Sequence, residues 1–166
     1  MLRTLLADRF KLAVHRETKE MPTYALVMAR ADGRRGPQLR STPQDCAAWI
    51  AAGGRPGPKP STPGYRPCGF GKMNRSIITN TAIPLSRFAD LLSPRVGRVV
   101  RDQTGLEGRF DLDLQWTPEP VGQGSAVERG PSLIAALQNQ LGLTLESKSD
   151  SVDLLVIDHV EHPTEN

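Results

Sequence analysis

The sequence predicts an α+β fold: helix–hairpin (αββ) repeats, with helices packed on antiparallel sheet. Three observations carry this prediction. Apolar residues recur at helical spacing in some segments and at period two in others. Glycine and proline, 15 and 14 of 166 residues, gather between 31 and 71 and leave periodic sequence on either side. Two stretches, LLADRFKLAVHRETKEMPTYALVMA and ALQNQLGLTLESKSDSVDLLVIDHV, also share one pattern. Each reads as helix, alternating strand, polar turn, then a strand apolar on both faces.

The elements follow in order. Leu2, Leu5 and Leu6 give a helix over 2–9. Phe10, Leu12 and Val14 alternate with Lys11, Ala13 and His15, which predicts a half-buried strand. A charged turn at Thr18–Glu20 leads past Pro22, tolerated at a strand start or edge, into TYALVMA. That run is apolar on both faces, as inner strands are. Residues 31–71 read as connection, with a short helix over 45–53 capped by Asp45. A strand over 72–79 and a helix over 84–93 come next. The helix buries Leu85, Phe88, Leu91 and Leu92, and Pro94 follows its end. Strands over 98–101 and 109–116 flank a Gly-rich turn. A second linker spans 117–130. The segment 131–142 is a helix lined by Leu133, Ala136, Leu137 and Leu141 and ended by Gly142. LTLES and VDLLVIDHV close the chain as two strands around KSDS.

The repeat divides the chain into four parts. Residues 1–30 are the αββ end of a first module whose front is absent, and 31–71 are a connection. Residues 72–160 are a complete βαββαββ module, and 161–166 are a tail. A truncated module leaves Leu2, Leu5, Tyr24 and Leu26 as an apolar patch, or covered by the 31–71 loop or by a second chain. Self-association follows from that expectation.

Charge is uneven. Residues 1–75 hold 14 Lys and Arg against 5 Asp and Glu; residues 76–166 hold 7 against 13. Aromatic residues are 5% of the chain and do not interleave the basic stretch, so nucleic acid is not the expected partner. The basic loop RADGRRGPQLR (30–40) reads as a solvated connection. The longest apolar runs, such as LLVI at 154–157, are too short to span a bilayer. The opening MLRTLLADRFKLAVHR is not a signal peptide.

The segment RVVRDQTGLEGRFDLDLQW (98–116) carries arginines, a Gly-rich turn and two aspartates. Strand periodicity puts Asp111 and Asp113 on one outer face, about 7 Å apart. Glycosidases pair carboxylates at such distances, but only in a cleft. The amphipathic strand alone accounts for the spacing, so both are expected on a solvated face. Gly105 and Gly108 supply positive φ in the turn. Asp158, His159, Glu161 and His162 are residue types that bind metal, in a spacing that fits no common site. No cofactor motif is present. Cys46 could act as a nucleophile with His15 as its base.

MLRTLLADRFKLAVHRETKEMPTYALV, VVRDQTGLEGRFDLDLQWTP and SLIAALQNQLGLTLESKSDSVDLLVIDHVEHPTEN resemble the C-terminal part of the Solibacter-type domain of unknown function, abundant in acidobacterial proteins. The resemblance implies an exported, periplasmic or secreted protein. Some members follow a membrane metallopeptidase region, which implies a regulatory appendage as one role. No enzymatic activity is established for the domain, and no catalytic residues carry over. The element order is also similar, more distantly, to the short N-terminal domain of secretins and TonB-dependent receptors, which binds partner proteins. In an exported chain two cysteines argue a disulfide, and Cys46–Cys68 would pin the long connection. The expected function is a non-catalytic, extracytoplasmic protein-interaction or sensory module, without cofactor or metal. The alternative is a hydrolase using Asp111 and Asp113, or Cys46 and His15.

Overall fold

The computed structural model describes residues 2–42, 46, 68, 69, 71–118 and 130–163, and no side-chain placement for 2 and 3. The described elements are α1 (Leu2–Phe10), β1 (Ala13–Met28), β2 (Leu39–Ser41), β3 (Gly71–Met73), β4 (Ile77–Ile83), α2 (Leu85–Val96), β5 (Val100–Asp102), β6 (Phe110–Gln115), α3 (Leu133–Ala136) with a π-helical continuation (Leu137–Leu141), and β7 (Leu143–His159). The helix expected over 45–53 and most of the 117–130 linker lie outside the described residues. The chain forms two compact units: Tyr24–Ser147, and Met1–Thr23 with Lys148–Asn166.

The central unit carries an antiparallel sheet in the order β2-β6-β4-β3, and the inner ends of β1 and β7 from a sheet ordered β5-β1-β7. One pairing departs from the all-antiparallel expectation. β5 runs parallel to β1, with Tyr24 opposite Val100 and Leu26 opposite Asp102. Parallel neighbours need a long crossover, and the chain between them, including α2, supplies it. The core joins Leu26 and Val100 to Ile78, Phe110, Leu112 and Leu114, and to Leu85, Phe88 and Leu92 of α2. Leu26 is fully buried and Tyr24 half-buried against this core, so elements from 72 onward cover them. Leu5, in the other unit, is 53% exposed. The expected patch is therefore not continuous, because TYALVMA gained β5 and β7 as neighbours.

Helix α2 runs through Pro94 to Val96, past its expected end, and stops at Gly97 (φ 68°). A proline here removes one N–H from the last turn only. The Ser93 hydroxyl donates to Ala89 O (3.1 Å) and accepts from Val100 N–H (2.9 Å), tying β5 to the helix.

The helix expected over 131–142 starts at Leu133, where the Ser132 hydroxyl caps Ala135 N–H. It widens into a π turn over Leu137–Leu141. Carbonyls of that turn accept from the loop before β2: Gly36 N–H to Leu141 O (2.8 Å) and Gln38 N–H to Gln140 O (2.9 Å). This contact is backbone on backbone. A Cβ on Gly36 would collide with Gln140 O, and one on Gly142 would lie 2.6 Å from Gly36 N.

The second unit holds α1 and the outer stretches of β1 and β7. The sequence predicts a turn in each of these stretches, at 18–20 and at KSDS. Neither turn forms, and each strand is continuous, so the αββ units are not hairpins. The polar residues taken for turns face one another across the two strands instead. Thr18 donates to Asp153 (2.8 Å), Thr23 to Asp150 (2.8 Å), and Ser151 to Glu20; His15 meets Asp158 (2.8 Å). Positions rise on β1 as they fall on β7, so the pair is antiparallel. The predicted alternation over 10–15 holds in burial, with Phe10, Leu12 and Val14 half-buried and Lys11, Ala13 and His15 exposed, but the strand starts only at Ala13 because Phe10 ends α1.

Gly33 and Gly142 share nearly the same φ (67° and 70°), but Gly33 has nothing near its missing Cβ. Gly142→Ala should therefore cost about 1–3 kcal/mol more than Gly33→Ala, the overpacking term alone. Urea melts of the two variants measure the difference.

Candidate functional site

The segment over 98–116 resolves into a turn and a clamp. Asp102 Oδ1 accepts from Thr104 N–H (3.0 Å) and Oγ1 (2.8 Å), and Thr104 Oγ1 accepts from Leu106 N–H (3.2 Å). Gly105 and Gly108 complete the turn at φ 70° and 99°. Beyond it, Phe110, Leu112 and Leu114 point into the core.

Asp111 does not lie on a solvated face. The β4–β6 register shifts between Asn80 and Ile83, so Thr81 and Ala82 together oppose Asp111. That is a β-bulge, and its residue Ala82 has φ 56° while 1% exposed. Asp111 Oδ1 accepts from Ala82 N–H (2.9 Å) and from Thr42 Oγ1 (2.6 Å). Arg109 Nη1 donates to Ala82 O (2.8 Å). One carboxylate and one guanidinium thus satisfy both backbone polar groups of a strained, buried residue. Period two places Asp113 on the same face, but it lines a shallow polar recess of about 490 Å³ with Gln38, Gln115 and Gln140. The recess is structured by Gln140, whose amide accepts from Gln115 N–H (2.9 Å) and donates to Gln115 O (2.7 Å). The two aspartates therefore serve different local structures.

Cys46 and Cys68 form a disulfide with Cα atoms 5.7 Å apart. It packs with Ala82 in a small buried cluster, and Gly69 N–H donates to Thr81 O (2.9 Å). The 31–71 connection is thus pinned at the bulge. Cys46 has no thiol for His15 to activate, and His15 Nδ1 is engaged by Asp158. Of the DHVEH residues, Asp158 meets His15, whereas His159 pairs with Glu161 (2.8 Å). Among the described residues no group of three or more His, Cys, Asp or Glu is placed to hold a metal. No described helix is long and apolar enough to cross a membrane.

Sequence reasoning missed two features. Arg109 and Asp111, the latter also bonded by Thr42, converge on Ala82 at the bulge, and alanine carries no signal for positive φ. A groove between the ends of α2, α3 and β6 brings Arg75 and Arg95 to Tyr24 and Trp116. Nothing in the sequence spacing joins those four.

These features define an α+β module whose conspicuous polar groups hold its backbone. The chain belongs to the family described as Protein of unknown function (DUF3738), matched over residues 1–160. No curated protein and no solved structure matches it.

Two predictions follow from the clamp and the disulfide. Asp111→Ala strands the buried Ala82 N–H and should cost about 1–3 kcal/mol. Asp111→Asn keeps an acceptor oxygen and should cost less than the alanine variant, both read by chemical denaturation; Phe110→Ala should exceed either, at about 3–5 kcal/mol. Thiol titration of the unreduced, denatured chain should find no free thiol, and reduction should lower stability by about 3 kcal/mol on the chain-entropy account.

Proposed function

We propose that this chain is a non-catalytic protein-interaction module working outside the cytoplasm, and that it recognises a partner through its long edge strand. The observation carrying this reading is the state of β7. In the sheet order β5-β1-β7 it lies at the edge, so one row of its backbone donors and acceptors has no strand partner among the described residues. Its residues Leu155 and Ile157, two apart and hence on one face, are 66% and 61% exposed. An edge of this kind is a template for strand addition: main-chain bonds supply affinity and alternate side chains supply choice. The disulfide supports an oxidising compartment. The hydrolase alternative has less support, because Asp111 is committed to Ala82 and Cys46 to Cys68.

The test is a photo-crosslinking amino acid placed at Leu155 in the source cells, with Arg87 on α2 as the control position. A discrete protein adduct from position 155 that is absent at 87 is expected. It should disappear in Leu155→Glu/Ile157→Glu, a variant whose stability should change by only about 0.5 kcal/mol because both sites are exposed. Equal, diffuse adducts at both positions, or an adduct indifferent to the double substitution, would overturn the reading.

A further inference from the structure

The central unit carries a second surface that does not depend on the β7 edge. Its groove encloses about 690 Å³, within the usual range of roughly 300–1,000 Å³ for ligand sites. Tyr24, Trp116 and Ile134 give it apolar walls, and Arg75 and Arg95 line it as well. Among the described residues its lining holds no carboxylate. Neither arginine has an ion-pair partner among the described residues. Arg95 donates from Nη2 to Asn74 O (3.1 Å), which fixes the guanidinium, while its Nε is buried without an acceptor. A third cation, Arg98, lies over the Tyr24 ring at 5.1 Å. A guanidinium with one buried N–H lacking an acceptor, beside a second, exposed arginine, is complementary to a carboxylate, which can take two parallel N–H bonds from one arginine. The adjoining apolar walls suit an aliphatic or aromatic side chain.

We propose that this groove binds an acidic peptide segment of a partner protein, with a carboxylate on Arg75 and Arg95 and a neighbouring apolar side chain against Tyr24, Trp116 and Ile134. The site goes beyond the edge-strand reading and stands on different residues.

A random heptapeptide display library panned on the full chain tests it. The expected winners carry Asp or Glu beside Leu, Ile, Phe or Trp. As synthetic peptides they should bind more weakly as salt is added. Arg75→Gln/Arg95→Gln should weaken them by about tenfold or more, the loss of a charge-assisted bond. Ile134→Asp, at a site 41% exposed, should weaken them too and guards against a folding defect in the arginine variant. Leu155→Glu/Ile157→Glu should leave binding unchanged, which separates this groove from the β7 edge. Enrichment of neutral or basic peptides, or none above background, would overturn the proposal. So would affinities unaltered by both groove variants. Binding that emerges only after 119–129 are replaced by a Gly/Ser linker would assign the groove to the chain's own segment and overturn it equally.

Discussion

The central unit depends on one strained peptide. Ala82 occupies the left-handed region, where a β-carbon is disfavoured by roughly 1–2 kcal/mol. Its N–H and C=O are buried, so both need partners. Asp111 on β6 and Arg109 just before it provide them. The bulge they hold lets β4 keep Ile78 opposite Leu114 and still bring Ile83 opposite Phe110. All four of these side chains belong to the core. The disulfide packs on the same alanine, so the long connection is anchored where the sheet is most constrained.

A similar economy operates where the π turn meets the loop before β2. The last carbonyls of a helix have no intrahelical N–H to accept from. Those of Gln140 and Leu141, at the end of the π turn, accept from Gln38 and Gly36. Contact at backbone distance then requires glycine at both 36 and 142. Gly142 also ends the helix with positive φ. The same residue therefore satisfies a conformational and a steric demand at once.

What the sequence revealed and concealed divides along physical lines. The buried faces of α2 and β6 were legible because burial imposes periods of 3.6 and two on apolar residues. Gly142 ended its helix for the same local reason. The turns read into Thr18–Glu20 and KSDS do not form. Polar runs resemble turns when read singly, and only the opposite strand shows that Thr18, Glu20 and Thr23 have partners in Asp153, Ser151 and Asp150. Asp111 misled in a related way: its phase put it opposite the core, as observed, but a neighbouring bulge converted that face into a binding site for backbone. The groove was illegible because Arg75, Arg95 and Trp116 meet through tertiary packing, which leaves no pattern along the chain.

The order of strands in the three-stranded sheet has a consequence for how the molecule is made. β1 is made well before either of its sheet neighbours: Tyr24 pairs with Val100, and β7 begins at Leu143. Until then Ala25 and Leu26, fully buried in the finished fold, lack the strands that flank them. Loop closure over such separations is slow compared with local helix formation. The three-stranded sheet is therefore closed by the last of its strands to be made, so the core around β1 cannot be completed by local structure alone.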